Sequence, residues 1–294
     1  MVEGPAWEVS DARRCRCHVD PSGRRRRRSI RSFWERQLTP SYPSDLPGRD
    51  IHVWSLRIKT SSDVAAQFEP VLSPDERERA ARYRFDHLQQ FFTVARGALR
   101  HLLARYLRVE PESITFNYAS RGKPTLASQD GIEFNLSHSG DFAVIALAAG
   151  CPLGIDVEFM RPRTEIEELA RRFFSPEETS DLMSLPSSER QLAFFSCWTR
   201  KEAYIKAIGY GLYAPLDGFR VSLQPNEPAR LISVANEPDE AGQWSIHALQ
   251  LAPEYAAALA YRDRERPLLA LPIVDATELL RIQPNHFATT RNRR

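Results

Sequence analysis

What the chain lacks narrows its class before any motif is read. Only four of its 294 residues are cysteines, Cys15, Cys17, Cys151 and Cys197. They form no framework of regular spacings, which points to a reduced, cytoplasmic protein. No apolar run reaches the roughly 18 residues of a membrane span. The longest, Phe142 to Ile155, is broken by Gly150, Cys151, Pro152 and Gly154. The first residues lack the continuous apolar stretch of a secretory signal. Four common signatures are also missing: Gly-x-x-x-x-Gly-Lys, Gly-x-Gly-x-x-Gly, Gly-x-Ser-x-Gly and His-Glu-x-x-His. Their absence disfavours ordinary nucleotide hydrolysis and hydride transfer.

A net charge of +2 conceals an asymmetry. Residues 1 to 50 hold eleven arginines against seven acids, so the remainder is close to neutral and any anion site in it must be local. The stretch to about Gly48 is dense in Arg, Ser and Pro without an apolar period, and is expected to be a largely disordered extension, residues 1–48. Its run Arg24 to Arg28 suits a nucleic-acid or membrane arm, although a solvated tail accounts for it more simply. Cys15-Arg16-Cys17-His18 carries zinc donors without a second ligand pair.

With 42% hydrophobic residues overall, the chain can bury a real core. Ile51 to Leu56 alternates as a strand, and the folded pattern fades near Val274. Within these limits the sequence repeats itself faintly. Ser73-Pro74-Asp75-Glu76 and Ser175-Pro176-Glu177-Glu178 both read as helix starts with a capping box, and long helices, Thr93 to Leu107 and Ser196 to Ile208, follow each at a similar offset. The expected fold is α+β, with two similar α/β halves, 49–150 and 151–274, a tail over 275–294, and an active site at the interface of the halves.

Three segments carry chemistry. In Leu153-Gly154-Ile155-Asp156-Val157-Glu158, strand alternation puts Asp156 and Glu158 on one face beside Gly154. Two carboxylates that close favour a divalent cation between them, although an edge strand facing solvent explains them equally well. In the helix from Trp198, the residues Trp198, Glu202 and Lys206 recur every four positions. Taken alone, Glu202 and Lys206 read as an ordinary surface ion pair. Beside the strand, Glu202 completes a set of three carboxylates, and Lys206 lies one turn on, where it can reach a phosphate. The third segment, Asn135-Leu136-Ser137-His138-Ser139-Gly140, suits a turn between strands, which leaves His138 unexplained unless it and a hydroxyl donate to a ligand phosphate. Arg121-Gly122-Lys123-Pro124 is a short basic turn that serves either as a surface loop or as a phosphate clamp.

In this order these segments resemble the 4′-phosphopantetheinyl transferases of the monomeric two-half type, over roughly Trp54 to Ala260. The most specific matches are Gly154 to Glu158 and Trp198 to Leu212 with its Lys-Glu-Ala-x-x-Lys, supported by Asn135 to Gly140, Arg121 to Pro124 and Phe173-Phe174-Ser175. The resemblance implies transfer of the phosphopantetheine arm of coenzyme A to a serine of an apo acyl or peptidyl carrier protein, with release of 3′,5′-ADP. It implies that Asp156, Glu158 and Glu202 bind magnesium, with manganese as an alternative occupant, and that Lys206 contacts the diphosphate. Ser137, His138 and Lys123 would hold the phosphoadenosine end, with Arg79, Arg96 and Arg100 as further candidates. Glu202 is the preferred general base. Where the family often has basic residues near the first helix start, this chain has Glu76 and Arg79. Arg161, Arg163, Arg171 and Arg172 are candidates for a rim facing the carrier. A non-catalytic module binding coenzyme A or a carrier is the alternative, and neither membrane nor nucleic acid is expected as a partner.

Overall fold

The computed structural model describes residues 43, 45–46, 48–118, 122–128, 130–163, 165–210, 215–224 and 227–281. The expected extension with Arg24 to Arg28 and the Cys15 to His18 motif therefore lies outside the described residues, as does Arg121. Among the described residues, no helix is long and apolar enough to cross a membrane.

The first half opens with β1 (Ile51–Arg57), whose residues from Ile51 to Trp54 are buried, and continues through α1 (Ser62–Phe68), α2 (Pro74–Ala81) and α3 (Asp86–Leu107). A small hairpin follows, β2 (Phe116–Tyr118) with β3 (Pro124–Leu126), and then a longer one, β4 (Ile132–Ser139) with β5 (Phe142–Ala149). The second half repeats this order: β6 (Leu153–Phe159), α4 (Ile166–Phe173), α5 (Pro176–Ser184), α6 (Ser187–Ile208), a small hairpin of β7 (Phe219–Val221) and β8 (Leu231–Val234), and a longer one of β9 (Ser245–Leu249) and β10 (Tyr255–Tyr261). In both halves the last strand inserts antiparallel between the opening strand and its own hairpin partner, giving the orders β1-β5-β4 and β6-β10-β9. Both halves lie within one compact unit.

The duplication extends to buried charge. Each helix start is closed by a glutamate, Glu76 accepting from the Ser73 amide and Glu178 from the Ser175 amide, both at 2.9 Å. Each glutamate then meets a cation from the long helix: Glu76 with Arg100 at 2.7 Å and Glu178 with Lys201 at 2.8 Å, all four side chains about 1% exposed. The cations spend their remaining protons on carbonyls, Arg100 on Pro111 and Ile114, Lys201 on Leu216 and Phe219. Each pair thus fixes a helix start, a long helix and the loop after it.

Three expectations need correction. Helices α3 and α6 are both 22 residues long and begin earlier than predicted, at Asp86 and Ser187; the added turns open on mostly polar, exposed residues but also hold Phe91, Phe194 and Phe195, buried side chains that the predicted starts left out. The segment after residue 260 does not stay with the second half: β11 (Leu268–Ala270) and β12 (Val274–Asp275) both pair in parallel with β1. The supposed tail from 275 then continues as a 3-10 turn, Ala276–Leu280, with Ala276 and Leu279 buried.

The two sheets meet at the edges β4 and β6 without a backbone ladder between them. Side chains do the work instead. Asn135 Oδ1 accepts from Ile155 N at 2.9 Å, Ser137 Oγ from Val157 N at 3.4 Å, and Ser139 Oγ from Phe159 N at 3.0 Å. Amides of β6 that would otherwise be buried without partners are thereby satisfied. On the other face of β6, Leu153, Ile155 and Val157 pack in one core with Ile51, Val144 and Leu259.

Removing one partner of the second buried ion pair should be costly. Lys201→Met would leave Glu178 buried and uncompensated, and a loss of about 3–5 kcal/mol in urea unfolding is expected; an unchanged midpoint would contradict the role given to the pair.

Candidate functional site

Gly154 decides how closely α6 lies on β6. A Cβ built there would stand 2.2 Å from Ala203 O and 2.4 Å from Ala207 N. Only a residue without a side chain lets the helix backbone rest on the strand, and this contact carries Glu202 and Lys206 over Asp156. The Lys206 ammonium donates to Asp156 Oδ1 at 2.6 Å, to Ser137 Oγ at 2.9 Å and to Ile155 O at 3.4 Å. Ser137 in turn donates to Asp156 Oδ1 at 2.8 Å, and Ser139 donates to Glu158 Oε2 at 3.0 Å.

Two carboxylate oxygens remain over. Asp156 Oδ2 and Glu202 Oε1 are buried with no hydrogen-bond partner among the described residues. Burial, reinforced by Asp156 and Glu158 and only partly opposed by Lys206, pushes the Glu202 carboxyl up to about 7. Burial and the neighbouring Asp156 also raise Glu158, while the Ser139 hydroxyl and Lys206 work the other way. An acidic site strained in this manner favours an added positive charge.

These side chains open into a cleft of about 430 Å³ between the halves. Asp156, Glu158, Trp198, Glu202 and Lys206 line it from the second half; Arg79, Arg96, Ser137 and His138 line it from the first. His138 packs against Phe91 with ring centres 4.9 Å apart. Desolvation, then the nearby Lys206 charge and more weakly Arg79, hold its pKa below the usual histidine value, with Asp156 working the other way. The Arg79 guanidinium stacks over Phe92 at 5.3 Å, and Arg96 is tied to Glu76 and donates to Tyr118 Oη at 2.8 Å.

Comparison with known proteins gives this cleft its family. Residues 152–260 match the model of the 4′-phosphopantetheinyl transferase superfamily, and residues 59–150 match that of the 4′-phosphopantetheinyl transferase N-terminal domain. The chain is 40% identical over 208 residues to 4′-phosphopantetheinyl transferase HetI of Nostoc sp., covering 70% of this chain and 84% of that one. It is 31% identical over 201 residues to 4′-phosphopantetheinyl transferase Sfp of Bacillus subtilis, covering 68% and 86%. The chain belongs to the 4′-phosphopantetheinyl transferases. The two matched regions of this transferase fall one in each half, with β1, β11 and β12 outside both.

The structure brings together most of the residues singled out from the sequence, and it removes two. Arg100 is turned into the core by Glu76 and two carbonyls, so it does not reach the cleft. Lys123 donates to Leu153 O at 3.1 Å and Ala207 O at 3.2 Å, clasping the end of α6 to the start of β6 rather than facing the cleft. Ser137 does face it, but its hydroxyl is occupied by Asp156, Lys206 and the Val157 amide. The three acids share the cleft, yet among the described residues no three acid, histidine or cysteine side chains meet closely enough to cage an ion unaided. Sequence reasoning missed Tyr83 and Phe92 as lining residues. Phe92 lies four residues before Arg96, a spacing that signals a shared helix face; nothing local signals Tyr83.

Two measurements check this geometry. Gly154→Ala should destabilise the protein by about 2 kcal/mol or more, because helix backbone cannot yield as a side-chain tip can; a stability within error of the parent would disprove the close approach. The second concerns pH. A carboxyl raised in the folded state stabilises it fully below the unfolded value of 4.5 and loses that contribution as pH rises towards about 7. Metal-free protein should therefore soften over that interval, and Glu202→Gln should flatten the dependence in melts taken at a series of pH values.

Proposed function

We propose that the cleft between the halves transfers the 4′-phosphopantetheine arm of coenzyme A to a serine of an apo acyl or peptidyl carrier protein. The observation that carries this reading is the convergence of Asp156, Glu202 and Lys206 from a strand and a helix, with two buried oxygens left over. In the reaction the serine Oγ forms a bond to the phosphorus bearing the pantetheine. The bond from that phosphorus to the bridging diphosphate oxygen breaks, and 3′,5′-ADP leaves with the electron pair. The serine proton passes to Glu202, the carboxylate carried over Asp156 by the helix and facing the cleft. Lys206 turns its ammonium towards the diphosphate and offsets charge there. His138, Arg79 and Arg96 wall the side of the cleft that would take the nucleotide.

A divalent ion such as magnesium fits this donor set. The donors are all oxygen, and the orphaned Asp156 Oδ2 and Glu202 Oε1, with Glu158 beside them, offer up to three carboxylate ligands. Magnesium is commonly bound in this way, with substrate phosphate and water in place of a complete protein cage. When bound, it would neutralise diphosphate charge. Cys151 and Cys197 are both buried free thiols, which supports a reducing cytoplasmic setting.

Incubating the protein with apo carrier, coenzyme A and magnesium, then weighing the carrier, tests the reading. Parent protein should add one phosphopantetheine per carrier. Glu202→Gln should slow this at least about a hundredfold while coenzyme A binding, measured by calorimetry, is largely kept. A carrier of unchanged mass with parent protein would refute transfer, and a fully active Glu202→Gln would exclude that residue as the base.

A further inference from the structure

The first half holds the acids of the second. Along β4 the residues Asn135, Ser137 and Ser139 point to the same side, and each accepts an amide proton from β6. The two serines do more, because each also donates its own hydroxyl proton to the acid immediately before the amide it receives. Ser137 takes Val157 N and gives to Asp156; Ser139 takes Phe159 N and gives to Glu158. Each hydroxyl is thereby fixed in direction, since its lone pair is occupied by the strand that carries the carboxylate.

The geometry points to Ser139 as a positioning residue that sets the Glu158 carboxylate for the cation site. This rests on the magnesium and coenzyme A reading above. Ser139 does not line the cleft, whereas Glu158 does, so the serine would not touch a ligand there itself; its hydroxyl bears on the site through Glu158, and its acceptor bond to Phe159 N holds the strand that carries that acid. By engaging Glu158 Oε2 it fixes the carboxylate plane and leaves Oε1 as the oxygen available to a ligand. Its partner Ser137 cannot report this cleanly because it also touches Lys206. Supporting contacts of this kind commonly change metal affinity about 10–100-fold when removed.

The test uses the full chain and manganese as probe, with free manganese counted by electron paramagnetic resonance in the presence of coenzyme A. Ser139→Ala should weaken manganese binding about tenfold or more. Ser139→Thr, which keeps both donor and acceptor, should bind as the parent does. In a Glu158→Gln background the same Ser139→Ala change should have little further effect, because the path through the acid is already cut. A merely structural serine would lower the melting temperature and leave the coupling to Glu158 absent. If Ser139→Ala does not fold, Ser139→Cys, a weak donor of similar size, makes the same comparison. Equal affinity for Ser139→Ala or its cysteine substitute and the parent, or an equal loss with and without Glu158, would overturn the inference. Failure of the parent to bind manganese with coenzyme A would instead refute the reading on which it rests.

Discussion

Everything in the cleft depends on a seam between two sheet edges that do not pair as sheets. Strand β6 presents amides towards β4, and Asn135, Ser137 and Ser139 answer them with side-chain oxygens. A backbone ladder would have merged the sheets and met the amides of β6 with main-chain carbonyls, leaving the side chains of β4 no part in the seam. The side-chain seam holds the strands farther apart and places hydroxyls beside Asp156 and Glu158. One device therefore joins the halves, satisfies buried amides and aligns the acids.

The surrounding architecture braces both sides of that seam. Each half is locked by a buried glutamate bridging a helix start to a long helix, and these locks lie behind the cleft walls rather than in them. The duplication is thus structural, while the chemistry is not duplicated: Glu76 and Arg100 occupy the positions of Glu178 and Lys201, yet acids equivalent to Asp156 and Glu158 are absent from β1, which reads Ile51-His52-Val53-Trp54-Ser55-Leu56-Arg57. One half supplies acids and the ammonium, the other supplies arginines, an imidazole and the hydroxyls that steady the acids. Neither half alone contains the site.

Much of this was legible in the sequence. Strand alternation put Gly154, Asp156 and Glu158 on one face, and four-residue spacing aligned Glu202 with Lys206; the structure shows both. The twin capping boxes signalled the repeat. What stayed hidden depended on contacts distant in the chain. The basic character of Arg100 and Lys123 suggested phosphate, but Glu76 claims the first and two carbonyls claim the second. The return of β11 and β12 to β1 could not be read from a segment whose local pattern is weak. The expected starts of α3 and α6 likewise fall too late, although Leu88, Phe91 and Phe92 in the first and Phe194 and Phe195 in the second lie within the missed turns.

The central claim is that a cation and a diphosphate meet in the cleft between the halves. The most direct measurement is a crystal structure with coenzyme A and manganese, using the anomalous signal to locate the ion. A peak within about 2.2 Å of oxygens from Asp156 and Glu202, bridging to the diphosphate, is the result the account predicts. Coenzyme A seated instead in the groove by Leu192, Ser196 and Leu251, with no ion near Asp156, would contradict it.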